Sequence, residues 1–344
     1  MKQSAHGSAP ARANLLGEHT DYNFGYVMPT PLRYKTNVRV ERTNDNEFHA
    51  KSIAFKDDYV FKAGGNLKGM WTDYLSGCVS VLKDEGHEVP GFSFLVDSNV
   101  PMGMGMSSSA ALTVSTLRAL CDVLDIDYDD VQIAKLAHNV ETKYVGVPCG
   151  IMDQMVCATG KVGQAMFLDT KTMQTEYIDL PEGYRFCILH SGISHELKDG
   201  DGGYKQRVAE CAKACELLGV ASLREADISM MDKINALPEP LNKRARHVVT
   251  ENARVLAGVK ALKDHDIKTY GRLMVESHES QRDDYAVSVE KIDAIVAAAL
   301  KHGAVGARLT GGGFGGSVIA LVKDEQVEEW WDKLSKDVKG ITLL

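Results

Sequence analysis

The sequence predicts a protein built from both α-helices and β-strands and divided into two domains. Three observations lead to this prediction. The 344 residues are enough for two ordinary domains with a sizeable core. Apolar residues alternate along some stretches, as in strands, and recur with helical spacing along others. The pattern of the sequence changes between Leu180 and Tyr184, so we place the domain boundary there. The N-terminal domain then covers 1–182 and the C-terminal domain covers 183–344.

The composition is that of an ordinary globular protein. The net charge of −8 argues against nucleic acid as the main partner, because proteins that bind it usually carry a basic footprint. The seven cysteines form no CxxC pair, which favours reduced thiols. No apolar run is long enough to span a bilayer. We therefore expect a soluble cytoplasmic monomer that binds neither nucleic acid nor membrane.

A dense polar cluster follows a short apolar strand near the N-terminus. The strand is predicted over 13–16, and apolar residues resume at Tyr26. The stretch between them contains six side chains that form hydrogen bonds: Glu18, His19, Thr20, Asp21, Tyr22 and Asn23. Sugar hydroxyls both donate and accept, so converging carboxylates, imidazoles and amides suit a polyhydroxylated ligand. The pattern indicates a site for such a ligand, with a solvated turn as the alternative.

Strands and a helix lead from this cluster to a glycine-rich loop. Alternating apolar residues predict antiparallel strands over 37–62, and a final strand over 92–96. Between them, apolar residues at helical spacing predict a helix over 71–82. The stripe on this helix, which begins with Trp71, is more typical of a core than of a ligand site.

The loop that follows, PMGMGMSSSAA from Pro101, combines two glycines with three serines just before a predicted helix. Gly103 and Gly105 allow backbone N–H groups to turn inward and approach a ligand. A helix predicted from Ser107 would point unpaired N–H groups and its positive dipole end at the same place. These features are typical of an anion cradle, most naturally for phosphate. Ser108 and Ser109, with the first serine, add hydroxyls for phosphate oxygens or Mg²⁺. The alternative is a turn into a capped helix.

Three charged residues complete the set that phosphoryl transfer needs. A helix after Asp129 carries Glu141 near its end, and a shorter helix ended by Gly160 carries Asp153 in its first turn, where the dipole favours an ionised carboxylate. Mg²⁺ prefers oxygen ligands, so Glu141 beside a serine suits the metal. Asp153 suits the acceptor hydroxyl, and Arg12 would keep it ionised and offset charge on the incoming oxygen. Walker and protein-kinase motifs are absent.

The second half of the sequence predicts helices and one strand–loop–strand unit. After a strand over 186–189 and the polar stretch SGISHELKDGDGGY, helices are predicted over 204–218, 242–262 and 268–277. The stretch GAVGARLTGGGFGGSVIALV predicts a strand, a glycine loop and a strand. Its glycines allow a second backbone segment to press against the first cradle.

Three motifs in this order, GEHTDYN, PMGMGMSSSAAL and LTGGGFGGS, resemble those of the GHMP small-molecule kinases, and the likeness is closest to the galactokinase branch. It continues in PCGIMDQ, KRARHVVTEN and LMVESHESQRDDYAVS, so it covers nearly the whole chain. The resemblance implies a GHMP-kinase-like fold of two α+β domains with the active site in the interdomain cleft. It also implies ATP- and Mg²⁺-dependent phosphorylation of the anomeric hydroxyl of galactose.

The same resemblance implies roles for individual residues. Arg12 and Asp153 match the catalytic pair, and Ser108 and Glu141 match the metal site. The residues that match sugar contacts are Glu18, His19, Asp21, Gly150 and Tyr204. The residues that match the ATP site are Gly103, Gly105, Ser107, Ser108, Ser109, Ala110 and Trp71.

Two departures from the family pattern leave alternatives open. Phe24 stands beside the sugar cluster where a small or polar residue is common. Gly203 replaces an expected Glu before Tyr204, at the end of a longer, glycine-rich segment. One alternative is a related sugar-1-kinase acting on arabinose or galacturonate, although a uronate needs an extra cation that GEHTDYN does not supply. The other is a non-catalytic galactose/ATP sensor, although such proteins tend to lose the Ser-Ala-Ala step found here at 109–111.

Overall fold

The structure, a computed structural model, describes residues 2–45, 47–55, 58–193 and 203–344. The chain forms two units. The first contains the described residues of Met1–Arg12, Pro31–Met102 and Met106–Val162, and the second contains those of Ala13–Thr30, Gly103–Gly105 and Gly163–Leu344. The domain boundary near residue 182 stays a prediction. Residues 194–202 of the glycine-rich segment that precedes Tyr204 lie outside the described residues.

A five-stranded sheet is the main β-structure of the first unit. Its strands are β1 (Ser4–Asn14), β3 (Pro29–Arg42), β4 (Phe48–Ser52), β5 (Asp58–Phe61) and β6 (Phe92–Ser98), in the order β1-β3-β6-β4-β5. Strand β3 pairs antiparallel with β6, and β4 pairs antiparallel with β5. The expectation of antiparallel strands is confirmed for these pairs, whereas β4 runs parallel to β6.

The strand predicted over 13–16 is wrong in its bounds, because β1 ends at Asn14 and starts at Ser4. Its sequence, SAHGSAPARAN, alternates between buried and more exposed positions over 4–11, but the buried residues of this part are only alanine and glycine. Small residues give little hydrophobic contrast, so the alternation is weak in the sequence. Small size has a packing reason at Gly7, where an added Cβ would lie 1.9 Å from the Ser115 carbonyl oxygen.

Four helices accompany this sheet: α1 (Thr72–Asp84), α2 (Ser108–Leu124), α3 (Asp130–Asn139) and α4 (Met152–Thr159). The helices predicted in these places are confirmed. Asp129 caps α3 in a reciprocal pair of hydrogen bonds with Gln132. A π-helical turn, Val140–Val145, follows α3 directly. Glu141 therefore lies in this turn rather than in the regular helix.

The second unit contains two smaller sheets. One consists of β9 (Tyr184–His190), β10 (Gly306–Thr310), β11 (Ser317–Lys323) and β12 (Thr342–Leu343), all antiparallel, in the order β10-β11-β9-β12. The other consists of β2 (Tyr26–Val27), β7 (Gln164–Asp169) and β8 (Thr175–Asp179) in the order β2-β7-β8. The predicted strand at 186–189 and the strand–loop–strand unit are confirmed.

The helices of the second unit are α5 (Tyr204–Leu218), α6 (Met231–Asn235), α7 (Leu241–Lys263), α8 (Ile267–Asp283), α9 (Glu290–Lys301) and α10 (Val327–Asp337). Short 3₁₀ turns occur at Asp21–Asn23, Leu223–Glu225, Ile228–Met230 and Asp324–Gln326. Trp330 of α10 is fully buried in the core, where its Nε1 donates to the Ala299 carbonyl at 3.0 Å. The three helices predicted in this half are confirmed, and α8 extends further than predicted.

Within the described ranges, none of the helices combines the length and the apolar character that a membrane crossing requires. The seven cysteines, all of them described, are free thiols.

Candidate active site

Arg12 and Asp153, which are far apart in sequence, form a two-pronged ion pair in the first unit. The Arg12 Nε lies 2.6 Å from one carboxylate oxygen of Asp153, and Nη2 donates to the other at 2.8 Å. The Arg12 side chain is 7% exposed and that of Asp153 is 27% exposed. This fork fixes the carboxylate in one orientation and leaves part of it accessible. The structure thus brings together the two residues predicted as the catalytic pair.

Ser107 joins this pair at the start of α2. Its hydroxyl donates to the Oδ2 of Asp153, the oxygen that also accepts from Arg12. Ser107 precedes α2 in the left-handed region, with φ of 58°. Such a conformation is uncommon for serine and recurs where a local contact holds it. The contact with Asp153 orients the chain at the point where the phosphate-binding helix is predicted to begin.

Glu141 is a buried carboxylate in the π-helical turn, a kind of turn that is frequent at functional sites. The amide nitrogen of Gln154 donates to it at 2.8 Å. Burial raises the pKa of Glu141 to about 7, against the lowering effect of hydrogen bonds from Gln154 and Ser109. Neutralising the carboxylate, or pairing it with a cation, would relieve this cost.

The oxygen atoms near Glu141 fit a magnesium ion. The Oε1 of Gln154 is buried, and it accepts no hydrogen bond from any residue that the structure describes. The carboxylate of Glu141 is costly to ionise alone, and the hydroxyl of Ser109, in the first turn of α2, forms a hydrogen bond with it. Hard oxygen donors that lack compensating charge are what Mg²⁺ prefers. The donor set therefore suits the metal that the sequence implies.

A cavity of about 440 Å³ lies in the first unit beside the same helix start. Its lining includes Phe55, Trp71, Tyr74, Ser108 and Ser109. The rings of Phe55 and Trp71 are stacked, with centroids 6.5 Å apart. The cavity is therefore aromatic on one side and carries the hydroxyls of α2 on another. Trp71 lines this cavity, although the sequence pattern of its helix is more typical of a core position.

The two glycine loops contact each other in the second unit, as the sequence predicts. An added Cβ at Gly311 would lie 3.2 Å from the Gly105 carbonyl oxygen. Ser317 Oγ donates to the Met104 carbonyl at 2.9 Å. Gly103 and Gly105 both have positive φ, of 70° and 73°. The bare backbone of the first loop is thus held by the third motif.

Glu18 is tied to protein groups through both of its carboxylate oxygens. Oε2 accepts from the Asn14 amide at 2.5 Å, and Oε1 accepts from the Gly311 backbone N–H at 2.8 Å. The guanidinium of the fully buried Arg308 lies 3.5 Å from Oε1 and balances its charge. Glu18 therefore connects the first motif to the third and keeps lone pairs for a further donor.

His19 lies in a cluster of three tyrosines. Its Nδ1 is 2.9 Å from the Tyr22 hydroxyl. Its ring packs against Tyr285, with centroids 4.7 Å apart, and against Tyr204, the first residue of α5, at 5.5 Å. The backbone of His19 is left-handed, with φ of 63°, and its carbonyl accepts from Asn23 at 3.0 Å. Two predicted sugar contacts, His19 and Tyr204, are thus brought together.

The other residues predicted in the sugar site lie nearby in sequence or in the first unit. Asp21 begins the 3₁₀ turn of the first motif. Phe24 ends that turn in the left-handed region and is 52% exposed. Gly150 is buried just before α4, in the first unit. Ala110, which is predicted for the ATP site instead, lies in the first turn of α2 and is fully buried. The roles assigned to these residues stay predictions.

Helix α7 carries three residues that hold the backbone of the first motif and of Tyr26 just after it, and sequence reasoning did not identify them. His247 Nε2 contacts the Glu18 carbonyl at 3.1 Å, and Glu251 accepts from the Gly17 N–H at 2.9 Å. Asn252 accepts from the Tyr26 N–H at 2.9 Å. All three belong to KRARHVVTEN, whose polar residues at positions i, i+4 and i+5 on a helix were a usable signal.

Comparisons with known proteins agree with this geometry. The family model for the GHMP kinase N-terminal domain matches residues 73–161, and the model for the C-terminal domain matches residues 259–340. The galactokinase galactose-binding signature matches residues 2–42, which include Arg12 and the first motif.

Relatives and solved structures place the chain more narrowly. It is 40% identical to the galactokinase of Thermotoga neapolitana, over 95% of this chain and 91% of that one, and 36% identical to that of Pyrococcus furiosus, over 96% and 92%. Its fold matches Lactococcus lactis galactokinase complexed with galactose at a TM-score of 0.94 and 30% identity, covering 99% and 93% of the two chains. Methanococcus jannaschii mevalonate kinase shares the fold, with a TM-score of 0.71. The chain therefore belongs to the GHMP kinase family, in its galactokinase branch.

Proposed function

We propose that this protein transfers the terminal phosphoryl group of ATP to the anomeric hydroxyl of galactose, giving galactose 1-phosphate and ADP. The observation that carries the proposal is the Arg12–Asp153 fork, with Ser107 on the same carboxylate. Family membership and the matched galactose-binding signature support the choice of substrate.

Asp153 acts at the acceptor hydroxyl. The hydroxyl oxygen forms the new bond to phosphorus while the bond to the ADP oxygen breaks, and the hydroxyl proton passes to Asp153 or to water. Positive charge therefore develops on the hydroxyl group during the step. A fixed carboxylate stabilises that charge and accepts a hydrogen bond from the hydroxyl. Arg12 supplies two donors that hold the carboxylate in one orientation. Positioning of this kind is the main need of a loose phosphoryl-transfer transition state.

ATP binds at the start of α2 in this proposal. The adenine occupies the aromatic cavity beside Trp71, and the phosphates lie along Gly103, Gly105, Ser107, Ser109 and Ala110. Ser108 and Glu141 hold Mg²⁺, which neutralises phosphate charge when it is bound. The amide of Gln154 keeps Glu141 in place through its 2.8 Å hydrogen bond.

The sugar is recognised by Glu18, His19 and Asp21 of the first motif, together with Gly150 and Tyr204. Charged and aromatic groups of this kind suit a pyranose, which has hydroxyls at its edge and C–H groups on its face. A cytoplasmic, monomeric protein remains the expectation from the sequence.

A coupled assay of ADP release tests this proposal. The protein is supplied with Mg-ATP and, in parallel, with galactose, arabinose, galacturonate, glucose or mevalonate. We expect turnover on galactose alone. Turnover on another sugar would contradict galactose as the substrate and would indicate that Phe24 changes the sugar specificity. Saturable binding of galactose without ADP release would indicate a sensor instead of an enzyme.

A further inference from the structure

A chain of three hydrogen-bond contacts leads from His19 into the core of the second unit. The Nδ1 of His19 lies 2.9 Å from the Tyr22 hydroxyl. That hydroxyl lies 2.6 Å from the hydroxyl of Tyr285, which in turn lies 3.1 Å from the Sγ of Cys211. Tyr285 and Cys211 are buried. The four groups come from the first motif, from the segment after α8 and from α5.

The two phenols and the thiol each contribute one hydrogen to this chain at neutral pH. Burial raises the pKa of both Tyr22 and Tyr285 well above its ordinary value. Burial likewise raises the pKa of the Cys211 thiol to about 11. Three groups that stay protonated can therefore supply three donors for three contacts.

Each contact in the chain could run in either direction, and the strengths of the two terminal acceptors favour hydrogens that point towards His19. A neutral imidazole nitrogen is a good acceptor, whereas a thiol sulfur is a weak one. In the opposite direction, Tyr285 would donate to the sulfur of Cys211, and the Nδ1 of His19 would have to donate to Tyr22. The weak acceptor would then be used and the good one lost. With the favoured direction, Tyr285 donates to Tyr22, and Tyr22 donates to the Nδ1 of His19. The ring proton of His19 then lies on Nε2.

We propose that Tyr285, acting through Tyr22, is a positioning residue that fixes His19 as the Nε2-protonated tautomer, so that Nε2 donates a hydrogen bond to a hydroxyl oxygen of the sugar. The inference rests on the proposed function, in which His19 contacts galactose. Ring packing supports it, because Tyr285 contacts both His19, at 4.7 Å, and His247, at 4.4 Å, and cannot turn away easily.

Kinetics of Tyr285→Phe test the role in substrate binding. The variant keeps the ring and removes only the hydroxyl. Loss of the tautomer preference leaves only a fraction of His19 with its proton on Nε2, so we expect KM for galactose to rise about two- to fivefold, with kcat and KM for ATP unchanged. Tyr22→Phe removes the hydroxyl next to His19 and should give at least the same rise.

Tyr270→Phe is the matched control. Tyr270 is also fully buried in the second unit, and its hydroxyl has no hydrogen-bond partner among the described residues. The same atom is therefore removed from the same kind of environment. We expect all kinetic constants of Tyr270→Phe to equal those of the unchanged protein. If Tyr285→Phe behaves like Tyr270→Phe while the unchanged protein phosphorylates galactose, the inference is overturned and the proposed function stands.

Nitrogen NMR of histidine-labelled protein measures the tautomer directly and needs no variant of the chain. The ring signals of His19 are identified by their absence from the spectrum of His19→Gln. We expect the Nε2-protonated pattern in the unchanged protein and a mixture of both tautomers in Tyr285→Phe. An Nδ1-protonated or doubly protonated His19 in the unchanged protein would overturn the inference. Failure of the proposed function shows separately, as absence of galactose turnover.

Discussion

Among the residues that the structure describes, Arg12 gives Asp153 two hydrogen bonds and Ser107 gives it one, and this set of donors defines what the residue can do. A carboxylate held in this way needs no reorganisation when charge develops at a nearby hydroxyl. The sequence predicts the pairing of Arg12 with Asp153, because each lies beside a motif with its own chemical signature. It does not predict the hydroxyl of Ser107 on the same oxygen, since that depends on a left-handed backbone at a single residue.

We expect Asp153→Asn to lose roughly 100-fold or more in kcat while it folds normally and binds ATP unchanged. The amide keeps the size of the side chain but removes the charge and turns one acceptor into a donor. Steady-state kinetics and nucleotide titration measure the two effects. Asp130→Asn is the control, because Asp130 also accepts twice from an arginine, Arg118, at an exposed position in the same unit. Near-normal turnover in Asp153→Asn would remove this residue from the mechanism.

His247 is a buried neutral histidine whose loss changes the pH dependence of stability. Burial lowers its pKa to about 4, and burial lowers the pKa of His278 to about 4 as well. As pH falls below about 6.5, the ordinary pKa of histidine, these two side chains bind protons in the unfolded chain but stay neutral in the folded one. The stabilising effect is therefore present above about pH 6.5 and is lost as pH falls towards about 4.

We expect the free energy of unfolding to decrease as pH is lowered across this window. His247→Gln should reduce the slope of that free energy against pH by about one proton, or roughly 1.4 kcal/mol per pH unit. Urea denaturation at a series of pH values measures the slope. His278 remains in the variant and keeps part of it. His6→Gln, at an exposed position of β1, is the control. Equal slopes in His247→Gln and the unchanged protein would contradict the expectation.

At the scale of elements, helix α7 explains why the first motif has one conformation. Gly17, Glu18 and Tyr26 each form a backbone hydrogen bond with a side chain on one face of this helix. Glu251 keeps its charge there although it is buried: burial opposes ionisation, but Arg254 and Arg308 lower its pKa to about 2. The motif alone predicts a polar cluster. Its fixed geometry comes from residues more than 200 positions later, which no local pattern can reveal.

Elements with a strong period are predicted well, and the others are not. The long helices α2, α5 and α7 show clear helical spacing and agree with the prediction to within a few residues. Strand β1 is misplaced because the buried residues of its alternating part, over 4–11, are only alanine and glycine. The π-helical turn at Glu141 is missed because the sequence around it continues the pattern of α3. Both exceptions lie beside candidate site residues, where local rules are often broken.

Helix α8 packs directly on strand β10 through two glycines. An added Cβ at Gly271 would lie 2.3 Å from the Val305 carbonyl oxygen, and one at Gly306 would lie 2.5 Å from the Gly271 carbonyl oxygen. Backbone atoms cannot move aside as the end of a side chain can. This contact also supports the strand that leads to Arg308 and the third glycine motif.

We expect Gly271→Ala to lower the free energy of unfolding by about 1–3 kcal/mol through overpacking. Gly258→Ala in α7 is the matched variant. Its added Cβ would lie 2.6 Å from a methyl carbon of Leu16, the end of a flexible side chain. Alanine favours a helix interior over glycine by about 1 kcal/mol at both positions, so the two variants differ only in the atom that the new Cβ meets, and Gly258→Ala should be much less destabilised. Thermal and urea denaturation compare the two, and equal losses would contradict the role of the backbone contact.

At the scale of the whole molecule, each unit is assembled from separate stretches of the chain. Residues Ala13–Thr30 and Gly103–Gly105 belong to the second unit, although their neighbours in sequence belong to the first. Length and composition predict that two units exist. They do not predict which stretches join which unit, because that depends on contacts between distant residues. The candidate residues follow this division, with Arg12, Asp153 and Glu141 in the first unit and Glu18, His19 and Tyr204 in the second.

This division predicts where each ligand binds, and the prediction can be tested without measuring catalysis. Galactose alone should protect amide hydrogens from exchange over residues 17–26 and at the start of α5, where most of its proposed contacts lie. Mg-ADP alone should protect residues 106–112 and the cavity around Trp71. A ligand at 100 times its Kd stabilises its own state by about 2.7 kcal/mol, so exchange that requires opening of the site should slow by about 100-fold.

Hydrogen–deuterium exchange followed by mass spectrometry measures these two patterns in the full chain. Helix α10, which contains no candidate residue, is the internal control and should exchange at the same rate with either ligand. If galactose protected residues 106–112 and left residues 17–26 unchanged, the assignment of the first motif to the sugar would be wrong. The result depends only on where each ligand binds, so it separates an error in the site from an error in the chemistry at Asp153.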